Sequence, residues 1–175
     1  MSKPLSGTPD IVWQGKFITV RKWDTWEYVG RARGINAAVI LAIVDGDVLL
    51  VEQFRVPLGG RCLELPAGLV GDTEEGEGIE LAASRELEEE TGYRPEKVEV
   101  VGRFASSPGM VSETFCLVRA LGLTKVGEGG GVPGENITVH RVPVANIADF
   151  VAAKRAEGLF IDVKMLVLLG AGLLA

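Results

Sequence analysis

Arg85 is followed by four glutamates in five residues, Glu86, Glu88, Glu89 and Glu90, inside the stretch Gly68 to Tyr93, GLVGDTEEGEGIELAASRELEEETGY. An acid-rich run is ordinarily a solvated face. Here the spacing says otherwise. The pattern predicts a helix from about Gly78 to Thr91, ended by Gly92. At roughly 100° per residue, Ile79, Ala82, Ala83 and Leu87 share one apolar face, and Glu86 and Glu90 fall in the middle of it. Glu89 sits on the shoulder, one turn from Glu86. Only Glu88 points the opposite way, beside Leu81 as the one apolar misfit. Carboxylates turned toward a core lose solvation and repel one another, so they must protonate or share a cation. Acids at i, i+3 and i+4 can converge on one point. An all-oxygen, partly hydrated site suits Mg²⁺ or Mn²⁺. Arg85 lies one turn before Glu89 and can fix that carboxylate's aim.

No other residues offer a competing chemistry. His140 is the single histidine, in an alternating strand with no Ser-x-Gly elbow nearby. The two cysteines, Cys62 and Cys116, sit in apolar runs without CxxC spacing. They read as buried thiols in a reducing, cytoplasmic compartment rather than as a zinc pair or a disulfide. The glycine run near Gly129 lacks the Lys-Ser/Thr that completes a phosphate loop. The whole stretch Lys125 to Gly134 reads either as a disordered connector or as a mobile active-site loop, with Glu135 directly after it.

The chain is long enough, at 175 residues, for one domain with a real core, and 47% hydrophobic with 24% charged residues is a globular balance. A net charge of −6 argues against a nucleic-acid surface. It leaves phosphorylated small substrates open, because a bound metal supplies positive charge locally. Residues 1–10 read as a flexible tail with no apolar leader, and 11–175 as a single domain. The run Met165 to Ala175 is about half the roughly 20 residues needed to span a bilayer, so it reads as the end of a core helix and no membrane partner is expected.

The positioning elements follow from period and punctuation. Ile11 to Arg31 predicts two or three strands with turns near Gln14-Gly15 and Trp23 to Thr25. Trp13, Phe17, Trp23 and Trp26 crowd into it, as core, as interface or as a platform for a planar base. Ile35 to Val44 predicts a strand buried on both faces. Asp45-Gly46 predicts a hairpin turn and Val48 to Phe54 its return strand. Cys62 to Leu65 is a short strand that delivers Pro66-Ala67-Gly68, read as loop, to the acidic helix. Val98 to Ala105, Glu113 to Leu123 and Ile137 to Val142 predict strands. Val144 to Glu157 and Asp162 to Leu174 predict helices. The fold class is therefore α/β.

Gly71, Glu77, Arg85, Glu86, Leu87, Glu89, Glu90, Gly92 and Tyr93 fit the Nudix box, G-x5-E-x7-R-E-U-x-E-E-x-G-U, at every fixed position. Upstream, Glu64 to Gly68 reads ELPAG, similar to the segment that enters the box in ADP-ribose/ADP-sugar pyrophosphatases. Counted from Gly68 the loop is three residues too long, with the extra residues near Asp72 to Glu75, and Gly71 restores the spacing. Trp26 to Arg31, Val51 to Pro57, and Ser107-Pro108-Gly109 with Ser112-Glu113 also resemble that branch.

The resemblance implies a Nudix-type α/β/α sandwich with a mixed β-sheet. It implies metal-dependent hydrolysis of the diphosphate of ADP-ribose or another nucleoside diphosphate sugar, GDP-mannose included. It implies a homodimer whose N-terminal strands (residues 11–34) lie at the interface. Glu86, Glu89, Glu90 and the Ala67 carbonyl would hold Mg²⁺, with Mn²⁺ as the substitute. Glu135 or Glu89 would position the attacking water, with Glu128 as the loop alternative, and Arg85 would support the catalytic acids. Arg31, Arg55 and Glu113 would meet the phosphate and ribose. Phe17 and Trp26 would enclose the base.

Overall fold

A computed structural model describes residues 7–32, 36–71 and 76–170. The expected tail falls largely on residues outside these, and the extra loop residues 72–75 do so entirely. The first described strand already starts at Asp10. The elements run β1 (Asp10–Gln14), β2 (Ile18–Trp23), β3 (Trp26–Arg31), β4 (Asn36–Val44), β5 (Asp47–Arg55), β6 (Gly60–Glu64), β7 (Ala67–Val70), α1 (Ile79–Thr91), β8 (Tyr93–Arg94) and β9 (Lys97–Ala105). They continue with β10 (Thr114–Leu121), β11 (Thr124–Lys125), β12 (Thr138–Pro143), α2 (Ile147–Ala156) and β13 (Phe160–Ile161), and close on a 3-10 stretch, Val163–Leu169.

The main sheet is mixed. Its path is β13-β6-β5-β4-β10-β9, with β12 on β5 and β7 on β4. The β4–β10 and β6–β13 pairs are parallel and the others antiparallel. Beyond their shared hairpin, where Ile43 and Val44 face Val48 and Asp47, β4 and β5 part company. The lower half of β4 pairs with β7 from Asn36 to Val39, while the far half of β5 pairs with β6. The sheet thus forks into two arms, β9-β10-β4-β7 and β12-β5-β6-β13. The fork begins at Asp45 and Gly46, whose positive φ values of 51° and 84° suit the tight turn expected from the sequence.

Alternation along β4 fills both faces. Ala38, Ile40 and Ala42 face α1 and pack with Ala83, Leu87, Leu49 and Val118. Val39 and Leu41 face the other way, against Leu50, Leu63, Leu117, Ile147 and Met165. The alanines on both sides of the first cluster let the helix lie close to the strand, and burying Leu87 there contributes about 1.5–3 kcal/mol. Leu81, the misfit of the helical wheel, is exposed. With α1 on one face and α2 on the other, the layers are those of an α/β/α sandwich.

Three readings need correction. Ala67 to Gly68 is not loop: it opens β7, because Ala67, Gly68, Leu69 and Val70 extend opposite β4 and fill its free edge. The predicted terminal helix, Asp162 to Leu174, is a 3-10 stretch over Val163–Leu169, directly after β13, and its last residues, 171–174, lie outside the described residues. Before α2, Val144–Asn146 coils as 3-10 and the α-helix starts only at Ile147. Sequence reading also missed the two-residue strands β8 and β11, which pair with each other. Among the described residues no helix is long and apolar enough to cross a membrane.

Candidate active site

The fork opens a cavity of about 580 Å³ between the arms, within the range of small-molecule sites. One wall carries Ala67, Gly68 and Leu69 of β7, with Glu86 and Glu90 of α1 beyond them. The other carries Gln53 and Arg55 of β5, Cys62 and Glu64 of β6, and Asp162 and Lys164 just past β13. Arg31, Glu113 and Glu135 complete the rim.

Gly68 lets the two walls of the first arm meet. A Cβ there would overlap Glu86 Cγ and Cδ. Only glycine allows the strand to pass so close to the acidic helix. Glu90 is 6% exposed, and its carboxylate accepts a hydrogen bond from the Ala67 backbone N–H at 3.0 Å. Burial pushes its pKa up to about 8; the Ala67 bond opposes this, and the charges of Glu86 and Glu135 add to it. A buried carboxyl whose pKa is raised, with Glu86 and Glu135 on the same cavity, fits a hard divalent ion held by oxygen. Glu86, Glu90 and the backbone at Ala67 are the groups here that could hold it.

The acids do not converge as tightly as the helical wheel predicts. Among the described residues no three acidic, histidine or cysteine side chains are gathered closely enough to grip an ion as they stand. Like charges repel, and each takes the nearest donor. Glu86 lies 2.9 Å from Arg85, and Glu90 takes the Ala67 amide. Glu89 is outside the cavity wall, largely exposed, and 3.5 Å from Arg85. Arg85 itself is held chiefly by Glu77, at 3.2 Å, rather than by Glu89. The Arg85 hydrogen bond brings the buried Glu77 carboxyl below its ordinary value, and Glu77 also accepts from the Gly71 N–H at 3.3 Å. Arg85 is thus a brace between the box loop and Glu86.

On the second arm, Glu64 grips Arg55 through two hydrogen bonds of 2.6 and 2.7 Å, a bidentate geometry that fixes the guanidinium plane. Arg31 pairs with Glu113 at 2.6 Å, tying β3 to the segment before β10. Phe17 and Trp26 are 66% and 55% exposed and stand off the cavity wall. A single chain does not bring them to the cavity. Glu135 lines the cavity, whereas Glu128 does not.

Gln53, Glu64, Asp162 and Lys164 were not singled out from the sequence. Asp162 and Lys164 carried no signal there, since their run read as a core helix. In the structure Asp162 accepts the Lys164 backbone N–H at 2.7 Å and pairs with its Nζ at 2.5 Å. Glu64 was on the page as part of ELPAG, and its opposition to Arg55 needs only the register of β5 on β6. Cys62 shares this wall, but burial pushes its thiol up to about 12, with Glu64 and Asp162 adding to the rise, so it is an inert lining. His140 lies away from the cavity, 2.9 Å from Glu52, in a cluster with Arg61 and Lys154.

A sequence model of the NUDIX domain matches residues 33–160. The chain is 37% identical over 119 residues to an ADP-ribose pyrophosphatase of Saccharomyces cerevisiae, covering 64% of this chain and 50% of that one. It is 35% identical over 146 residues to a GDP-mannose pyrophosphatase of Cronobacter sakazakii, covering 78% of this chain and 72% of that one. It therefore spans only half the length of the yeast relative. The fold superposes on the crystal structure of an ADP compounds hydrolase with a TM-score of 0.70 at 22% identity, over 96% of this chain and 95% of that one. With the box acids on α1, the forked sheet behind them and the matched stretch spanning most of its length, the chain belongs to the NUDIX domain family.

Proposed function

We propose that this chain hydrolyses the diphosphate bridge of ADP-ribose or a related nucleoside diphosphate sugar, giving a nucleoside monophosphate and a sugar phosphate, with Mg²⁺ as the working ion and Mn²⁺ as its substitute. The observation that carries this reading is one cavity holding Glu86 and the buried Glu90 on one wall, the fixed Arg55 guanidinium on the other and Arg31 at the rim. A bound divalent ion would neutralise phosphate oxygens and make water a better nucleophile. Arg55, held flat by Glu64, meets phosphate oxygens as a planar fork. Arg31, at the rim and held by Glu113, binds the other end of the diphosphate or its ribose. Glu135 accepts the proton of the attacking water for in-line displacement, with Glu89 as the alternative base.

The base is stacked by Trp26 and Phe17. Both are exposed, as are Ile11, Val12 and Trp13 on the three-stranded sheet β1-β2-β3. Among the described residues, that sheet meets the body at the Val29–Val111 bridge with its flanking hydrogen bonds and at the Arg31–Glu113 pair. An apolar face of this kind is covered by a second copy in a homodimer, and the stacking residues then serve the neighbouring cavity. Aromatic stacking accepts any base, so GDP-mannose is the second substrate to test, and the Cronobacter relative favours including it. The thiols of Cys62 and Cys116, free and buried, accord with a reducing cytoplasm.

The test is nucleoside monophosphate release from ADP-ribose, ADP-glucose and GDP-mannose, with Mg²⁺ and with EDTA. Glu86→Gln and Glu90→Gln keep shape and remove charge. Each should lower turnover by about two orders of magnitude or more. Unchanged Mg²⁺-dependent release in both variants would remove the basis for the proposal.

A further inference from the structure

The glycine-rich segment after β11, which from sequence reads either as a connector or as an active-site loop, is fastened to α1 in the structure. A helix leaves its last four carbonyls without partners inside the helix. At the end of α1 each of the four is met. Glu88 O accepts from the Gly92 N–H at 2.8 Å. Glu89 O accepts from Gly131 at 3.0 Å, and Glu90 O from Gly130 at 2.8 Å. Thr91 O accepts from Lys125 Nζ at 3.1 Å. The Val126 and Gly127 amides add bonds to Gly92 O at 2.8 and 3.1 Å. Two of these carbonyls belong to the glutamates of the box.

The fastening requires glycine at one position in particular. Gly129 has a φ of 75°, and a Cβ there would lie 2.7 Å from Glu90 O and 2.7 Å from Thr91 Cα. Those are backbone atoms of the helix and cannot swing aside. Lys125 is in turn set by the Tyr93 ring, 4.8 Å below its Nζ, and also donates to Glu128 O at 3.4 Å. Downstream, Ile137 N–H returns to Gly130 O at 3.2 Å. That closes a short loop whose interior is held by Glu135 N–H to Val132 O at 3.1 Å and Val132 N–H to the Glu135 carboxylate at 2.9 Å. The same two residues that dock on α1, Gly130 and Gly131, therefore open the loop that carries Glu135.

We infer that Lys125 and Gly129 are positioning residues, which set Glu135 in register with Glu86 and Glu90 by splinting its loop to the last turn of the helix that carries them. The inference rests on the reading of Glu135 as the group that takes the proton of water. Positioning of a catalytic group matters at the scale of an ångström. A loop shifted by a methyl at residue 129 moves Glu135 while leaving Arg55 and Arg31, on other elements, in place.

A double-mutant cycle tests it on the full chain, with Mg²⁺ and ADP-ribose. Glu135→Gln should lower kcat by about 10²-fold or more. Gly129→Ala should lower kcat about tenfold or more and leave KM within about twofold. The double variant should be no slower than Glu135→Gln alone, because a misplaced loop costs nothing once its carboxylate is gone. Lys125→Met should give a smaller loss of kcat, and Lys125→Arg should recover it. Losses that multiply in the double variant, or wild-type kcat in Gly129→Ala, would overturn the splint. Wild-type kcat in Glu135→Gln would overturn it with the base assignment, while the carboxylate variants on α1 report separately on the hydrolase reading.

Discussion

Replacing Gly68 by alanine separates two glycines that both fit the start of the box. A Cβ on Gly68 would overlap Glu86 Cγ and Cδ, whereas carbon pairs rest about 3.5–4.0 Å apart. Gly68 lies outside the left-handed region, so alanine brings no backbone strain, and the overlap is relieved by the Glu86 side chain swinging out of the cavity. Gly68→Ala should therefore reproduce Glu86→Gln. Turnover falls about 10²-fold, or about 2.7 kcal/mol at 1.36 kcal/mol per decade, while Tm stays within about 2 °C of wild type because only one flexible side chain has moved. Gly71 is the opposite case. Its φ is 82°, and an L-residue in that conformation costs about 1–2 kcal/mol, or about 2–8 °C of Tm for a chain of this size. Gly71→Ala should melt earlier and hydrolyse within about twofold of wild type. The assay is Mg²⁺-dependent release of AMP from ADP-ribose, with thermal melting on the same preparations. If Gly68→Ala keeps more than about half of wild-type turnover, or if the loss of activity falls on Gly71→Ala instead, the close approach of β7 to Glu86 is not what the site requires.

Lys164→Met keeps the length of the side chain and removes its charge. If Lys164 meets the sugar or its phosphate, KM for ADP-ribose rises about tenfold, roughly 1.4 kcal/mol, with kcat within about twofold; an unchanged KM means that it does not touch substrate. Away from the cavity, burial works against the charge of Glu52, but hydrogen bonds from Arg61 and His140 and the charge of Lys154 outweigh it, so its pKa lies below the ordinary 4.5. Its contribution is thus complete above about pH 4.5 and is lost as pH falls through the lowered value. The Arg61 side chain is partly exposed, so solvent screens the cluster and removing the Glu52 charge costs about 1–2 kcal/mol; Glu52→Gln should lower Tm by about 2–8 °C at pH 7. The deficit should shrink in melts at lower pH, and a constant deficit would refute the linkage.

Much of this was legible because its signals were local and periodic. The helix, its end at Gly92, the Asp45-Gly46 turn and the two-faced burial of β4 each follow from residues within a few positions of one another. The inward direction of Glu90 followed from the same periodicity. What was not legible came from pairing between distant segments. Nothing in Pro66-Ala67-Gly68 says that β4 has a free edge for it to fill. The fastening of Lys125 to Gly131 on α1 is a match of backbone donors to backbone acceptors, which side-chain patterns do not report. Asp162 and Lys164 were hidden by an apolar run that looked helical, and only the parallel pairing of β13 with β6 brings them to the cavity. The splay of the glutamates toward separate donors was invisible for a different reason, since a helical wheel gives direction and not partner.

The fork in the sheet divides labour. Glu86 and Glu90, the proposed metal ligands, stand on the arm of β4, β7 and α1, and Arg55, Glu64, Asp162 and Lys164 stand on the arm of β5, β6 and β13. Because β4 and β5 are directly paired only around one tight hairpin, the side chains of the second arm that face the cavity can be exchanged without touching the acids on the first. A lineage built on this plan is free to trade one leaving group for another while its hydrolytic engine stays untouched.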